Sequence, residues 1–144
     1  MQFDDTIQDK NVNFQKKNEI PNFGWDISSY GTTYSGEDIY KKSHTKYGFI
    51  EPLKYYVPSI GISQLVYMPN KFNANNKKYL YVTSLRAESI YVIQINENFS
   101  KIIDEDRIYF QQRIRDIEYD EGNDLFFLLF ENTPSIGVLK LSNE

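Results

Sequence analysis

The sequence predicts an all-β chain made of antiparallel four-stranded meanders, the repeating unit of a β-propeller. Three observations carry this expectation. Tyr occurs 12 times and Phe 10 times in 144 residues, and such rings favour pleated, half-buried surfaces. From residue 55 onward, short apolar runs recur, each closed by Asn, Asp, Gly or Pro. No long window keeps apolar residues at the spacing of an amphipathic helix.

The elements follow in order. Residues 1–54 read as a loop-rich segment, polar and punctuated by Pro21, Gly24, Gly31 and Gly36, rather than as a packed element. Residues 55–144 carry the strands, about two propeller blades. Residues 65–68 open the series and stop at Pro69 and Asn70. Residues 79–85 follow, with Tyr79, Tyr81, Thr83 and Leu85 on one face. Residues 90–95 form the third strand, closed by Asn96 and Asn98. Residues 100–106 suit one helical turn or a strand equally, and 107–111 are polar enough for an outer strand. Three more runs follow, at 113–119, 125–130 and 137–141, the first two joined by a hairpin turn through Asp120, Gly122 and Asn123.

Residues 125–130 have no polar alternation, so this strand is expected to be covered on both faces. A propeller and a sandwich of about seven strands both provide such cover. One complete meander over 65–111, then a second that stops after three strands, favours the propeller, whose last blade is often completed by a strand from the other terminus.

Composition excludes several function classes. Sixteen basic against 20 acidic residues give a net charge of -4, which argues against a nucleic-acid backbone as partner. No run approaches the roughly 18 apolar residues of a membrane span. The opening 20 residues are polar, so no signal peptide is expected in this chain. Without Cys there is neither a disulfide nor a thiolate metal site.

Few residues suggest chemistry. Arg113 and Arg115 lie two apart on an expected strand and so share a face. Two guanidinium forks on one face suit a ligand rich in carboxylate-type oxygens. The competing reading is a solvated face paired with Asp116 or Glu118. His44 is the only histidine, and its charged surroundings, Lys42-Ser-His-Thr-Lys46, read as a solvated loop. Asp104, Glu105 and Asp106 lack the alternation and the Gly of a calcium loop and read as a solvated turn. Asn98-Phe-Ser100 fits a glycosylation sequon. No catalytic residue and no metal ligand is singled out.

Five stretches together resemble one family. They are Asn18-Glu-Ile-Pro-Asn-Phe-Gly-Trp25 with Ser29-Tyr-Gly31, Tyr56-Val-Pro-Ser-Ile-Gly-Ile-Ser63, Tyr81-Val-Thr-Ser-Leu-Arg86, Arg113-Ile-Arg-Asp-Ile117 and Ser135-Ile-Gly-Val-Leu-Lys140. In this order they resemble the aldose sugar dehydrogenases that use pyrroloquinoline quinone (PQQ), the glucose/sorbosone dehydrogenase-like proteins, from about residue 18 to the end. The resemblance implies a six-bladed propeller of which this chain supplies roughly the last two blades. It implies oxidation of an aldose at the anomeric carbon, with hydride passing to the quinone, in the periplasm or outside the cell. It implies PQQ contacts from Arg113, Arg115, Arg86 and Ser59, and places calcium and the catalytic His in blades upstream of this chain. Arg86 stands where the family usually has Lys, and Val57 where relatives often carry Trp. Arg86 also fits a strand-end surface charge, and Ser59 a turn residue after Pro58.

Three functions follow as expectations: a C-terminal piece of a sugar dehydrogenase, a non-catalytic propeller module that binds a partner, or a remnant that self-associates through exposed blade faces.

Overall fold

Among the described residues, seven antiparallel strands take up the apolar runs. A computed structural model of the chain describes residues 20–72 and 76–140. Asn18 and Glu19 of the first family-like stretch, the polar opening residues and Leu141 lie outside the described residues. The chain divides into two compact units, Met1–Ser59 with Asn98–Lys101, and Ile60–Glu97 with Ile102–Glu144.

The N-terminal unit is irregular in backbone. Among the described residues its regular features are a 3-10 turn, Thr45–Tyr47, and an isolated parallel bridge between Ser28 and Lys41. It is nevertheless packed, contrary to the loop expectation. Ser28 and His44 are fully buried, and Ile50 N–H donates to the Asn22 carbonyl at 3.0 Å. Gly24 has a φ of +85°, and a Cβ there would sit 2.6 Å from the Phe49 ring, so only glycine fits under that ring. Lys42 Nζ donates to the carbonyls of Ser29 and Gly31 at 3.0 and 2.9 Å, replacing sheet pairing with side-chain ties.

The second unit holds both sheets. The first comprises β1 (Ile62–Tyr67), β2 (Lys78–Ser84), β3 (Ser89–Ile95) and β4 (Ile102–Tyr109), in that spatial order. The second comprises β5 (Ile114–Asp120), β6 (Leu125–Phe130) and β7 (Ser135–Lys140), again in order. Two successive meanders form the propeller arrangement; neither contains the Greek-key crossing of a sandwich.

Several boundaries shift by a residue or two, and two strand starts differ more. β1 begins three residues earlier than residue 65, and β4 begins at Ile102 rather than 107. The acidic run Asp104, Glu105, Asp106 is therefore strand, not turn, paired with Gln94, Ile93 and Val92 of β3. Charged residues on such an outer strand discourage pairing with a further chain. The turn at 121–124 forms as its residues predict, with the Gly122 N–H donating to Asp120 Oδ1 at 2.8 Å and Asn123 Nδ2 to Asp120 Oδ2 at 2.7 Å. The Asn123 side chain and Gly122 N–H hold the Asp120 carboxyl below its ordinary range.

The core lies between the two sheets. Met68, Tyr81, Ile90, Ile114, Ile117, Phe126 and Leu128 form one buried cluster. Phe126 meets Tyr81, Phe72 and Tyr119 with ring centroids 5.0–5.2 Å apart. Each such side chain contributes about 1.5–3 kcal/mol by burial alone. Strand alternation sends Phe126 and Leu128 inward and turns Phe127 and Leu129 outward, 40% and 48% exposed. Cover on both faces of β6, expected from its composition, is thus absent among the described residues.

Candidate oxyanion site

One end of the seven-stranded unit collects most of the residues singled out in the sequence. β1 and β5 both start there, each with an irregularity in its first residues. The β1–β2 register slips between Ile62 and Gln64, leaving Ser63 as the extra residue, and the β5–β6 register slips between Ile114 and Asp116, leaving Arg115. Such bulges re-aim side chains. The Ser63 hydroxyl donates to the Ile114 carbonyl and lies 2.9 Å from Thr83 Oγ1, tying the two sheets together at this end.

Arg113 and Arg115 are brought together. Arg113 Nε donates to Glu131 Oε2 at 3.0 Å, and Arg115 Nε forms an ion pair with the same oxygen at 2.8 Å. The carboxylate that pairs with them is therefore Glu131, at the turn after β6, and not Asp116 or Glu118. Asp116 Oδ1 instead accepts from the Ile117 N–H at 2.9 Å. Glu131 is fixed by its backbone too, since its N–H donates to the Arg113 carbonyl at 2.9 Å. Each guanidinium meets Glu131 through its Nε, and the two terminal amino groups make no further hydrogen bond among the described residues. The arginine side chains are about half exposed, at 42% and 52%. The trio carries two positive charges and one negative, so it remains net positive.

Arg86 is held at the same end by its loop. Leu85 N–H donates to the Gly61 carbonyl at 2.7 Å, and Arg86 N–H to the Ile60 carbonyl at 2.9 Å. Gly61 permits this approach, with a φ of +64° and a would-be Cβ 3.2 Å from Arg86 N. Two residues on, Glu88 Oε1 accepts from Asn132 Nδ2 at 3.1 Å, which joins the β2–β3 loop to the turn that bears Glu131. Gln112 closes the third side, accepting from the Thr133 N–H at 3.2 Å. Behind the loop, Ser84 and Ser89 are buried and hydrogen-bonded to each other, and Arg107 Nε donates to Ser89 Oγ at 2.7 Å. Ser59 belongs to the N-terminal unit, where it is exposed after Pro58.

Glu131, Glu88 and Asn132 escaped the sequence reading. The available signal was a lone acid directly after a wholly apolar strand, where a charge must meet a partner at the sheet end.

The N-terminal unit holds a second polar cluster. His44 is buried, 1% exposed, and not in a solvated loop. Its ring stacks on Tyr30 at 5.3 Å, and Nδ1 lies 2.9 Å from the Phe23 carbonyl. A carbonyl only accepts, so Nδ1 carries the proton; Nε2 is buried without a partner among the described residues. Tyr30 also stacks on Tyr55, centroids 3.9 Å apart, and its hydroxyl donates to Glu51 Oε2 at 2.8 Å. Burial, that hydrogen bond and the Glu51 charge push the Tyr30 hydroxyl up to about 12. Burial pulls the Glu51 carboxyl upward, but bonds from the Thr45 N–H, the Tyr30 hydroxyl and the Thr45 hydroxyl outweigh it and hold the group below its ordinary range.

Among the described residues no group of three or more His, Asp or Glu side chains could hold a metal, and no helix is long and apolar enough to cross a membrane. In the sequon, Ser100 Oγ donates to the Asn98 side-chain carbonyl at 2.6 Å.

A profile of the Glucose / Sorbosone dehydrogenase family matches residues 8–136. The chain is 28% identical over 135 residues to the aldose sugar dehydrogenase YliI of Escherichia coli K12, covering 91% of this chain and 34% of that protein. Two crystal structures share the fold, each with a TM-score of 0.68: a glucose dehydrogenase, 25% identical over 86% of this chain, and the soluble aldose sugar dehydrogenase of Escherichia coli in its apo form, 26% identical over 88%. The chain spans about a third of the length of these relatives, 34% to 36%.

Proposed function

Because the chain belongs to the glucose/sorbosone dehydrogenase family, we propose that it is the C-terminal part of a PQQ-dependent sugar dehydrogenase and supplies part of the quinone site. One observation supports this above others: Arg113 and Arg115 converge on a single carboxylate and keep their terminal amino groups available. That donor set fits a planar ligand rimmed with oxyanions, since each remaining fork can take an oxygen pair. Arg113 and Arg115 hold the ligand, and Arg86 adds positive charge from its anchored loop. When bound, the quinone supplies the hydride acceptor for oxidation at the anomeric carbon of an aldose. The setting is periplasmic or extracellular, and calcium belongs to the portion of the protein outside this chain.

Catalysis by this chain alone is not part of the proposal. Its only histidine is buried against Tyr30, with its protonated nitrogen committed to a backbone carbonyl. A general base must reach the proton it removes. This favours, for the isolated chain, a second reading as a binding module without turnover.

The test is titration of the chain with PQQ, followed by absorbance, for wild type and for the double variant Arg113→Ala, Arg115→Ala. Saturable, salt-weakened binding that falls by roughly tenfold or more in the double variant is expected from loss of two charged donors. Equal affinity in both proteins would remove these arginines from the site.

A further inference from the structure

We infer that Glu131 is a positioning residue, which holds Arg113 and Arg115 as one rigid oxyanion-binding pair. The inference rests on the cofactor-site reading for the identity of the ligand, but the pairing itself stands on geometry. Two guanidinium groups repel one another and sit on long, rotamer-rich side chains. Left alone on one strand end they would splay into solvent. One oxygen of Glu131 accepts from Arg113 Nε at 3.0 Å and pairs with Arg115 Nε at 2.8 Å. Using Nε rather than the terminal amino groups matters. It anchors each fork at its base and leaves the fork's end for a ligand.

The carboxylate is itself held. The Glu131 N–H is bonded to the Arg113 carbonyl, the register slip at Arg115 brings the second arginine to the same carboxylate, and Asn132 and Thr133 lock the turn through Glu88 and Gln112. Glu131 therefore acts in two opposed ways. Its negative charge lowers the attraction of the pair for an anion, while its geometry removes the ordering penalty that two free arginines would carry into binding. Positioning is the larger effect where a ligand needs both forks at once.

The test uses the whole chain and the variants Glu131→Ala and Glu131→Gln. The glutamine variant keeps a side-chain oxygen where the carboxylate was. The first readout is the nitrogen-proton spectrum of the arginine side chains, which requires no ligand. Wild type should show a slowly exchanging, hydrogen-bonded Nε–H signal from Arg113 and a slowed one from Arg115 in its ion pair; both should vanish in Glu131→Ala and the Arg113 signal persist in Glu131→Gln. The second readout is PQQ affinity, expected to fall roughly tenfold in Glu131→Ala and to stay within about threefold in Glu131→Gln. A purely structural glutamate would change the melting temperature of both variants and leave the affinity alone. Unchanged Nε–H signals in Glu131→Ala, or tighter PQQ binding by that variant, would overturn the inference. Wild type that shows the paired signals but binds no PQQ would sink the cofactor reading and leave the positioning role intact.

Discussion

At the scale of single residues, the Tyr30–Glu51 pair makes a prediction about pH. Burial, then the bond to Glu51, raises the Tyr30 hydroxyl, while the Thr45 N–H and then the Tyr30 hydroxyl hold the Glu51 carboxyl low against burial. The folded Glu51 carboxyl lies below its ordinary range, so its contribution is present above about pH 4.3, the unfolded value. It is lost as pH falls through the lower, folded value. The Tyr30 hydroxyl is raised, so its contribution is complete below about pH 10, the unfolded value. It disappears as pH rises through about 12. The Thr45 amide, which donates to Glu51 Oε1 at 3.0 Å, reports this locally. Its protection against hydrogen exchange should be level between these limits and fall on either side. In Tyr30→Phe the alkaline fall should vanish and the acid fall should shrink. An unchanged alkaline limb in that variant would show that another tyrosine controls it.

At the scale of elements, the β2–β3 loop depends on one glycine. Gly61 has a left-handed φ of +64°, and the nearest atom to a new Cβ is the backbone N of Arg86 at 3.2 Å. Gly61→Ala must therefore strain its own backbone and push on a loop whose amides are bonded to Ile60 and Gly61. A loss of about 1–3 kcal/mol in denaturant unfolding is expected, with reduced exchange protection at Arg86 N–H. Overlaid unfolding curves for variant and wild type would show that the loop yields freely. The same loop marks the limit of what the sequence discloses. Strands were legible because apolar runs and turn residues are local signals, and all seven appear near their expected places. Arg113 and Arg115 were legible as neighbours in sequence, although Arg113 precedes β5 and a register slip, not regular strand spacing, brings Arg115 to the same carboxylate. Glu131 was not, because its meeting with them is set by pairing of β5 with β6 and by a register slip that no spacing rule contains. His44 failed for a related reason: its neighbours in sequence are charged, while those that bury it, Phe23 and Tyr30, lie 21 and 14 residues away in the chain. Ile102 and Ile103 suited helix or strand alike until pairing with β3 decided for strand.

At the scale of the whole molecule, the open side of the second sheet decides how the chain behaves in solution. Phe127 and Leu129 of β6 pair across the sheet with Val138 and Ile136 of β7, and all four are 40% to 70% exposed. The strip sits beside a shallow apolar depression lined by Ile117, Phe127, Leu128, Leu129 and Ile136. β7 has no strand on its outer side among the described residues, so its backbone groups are available for pairing. An apolar strip next to an unpaired edge drives association in water, and a second copy packed face to face on the strip would cover it. The isolated chain should therefore self-associate as its concentration rises in sedimentation velocity experiments. Ile136→Lys with Val138→Lys should restore a monomer, because both side chains point to solvent and their replacement removes no core contact. Persistent association of this double variant would move the contact elsewhere on the surface. A wild-type chain that stays monomeric at high concentration would mean that residues outside the described ones already cover the strip. In that case the same substitutions should lower the melting temperature instead, since they would then place two charges against a packed surface.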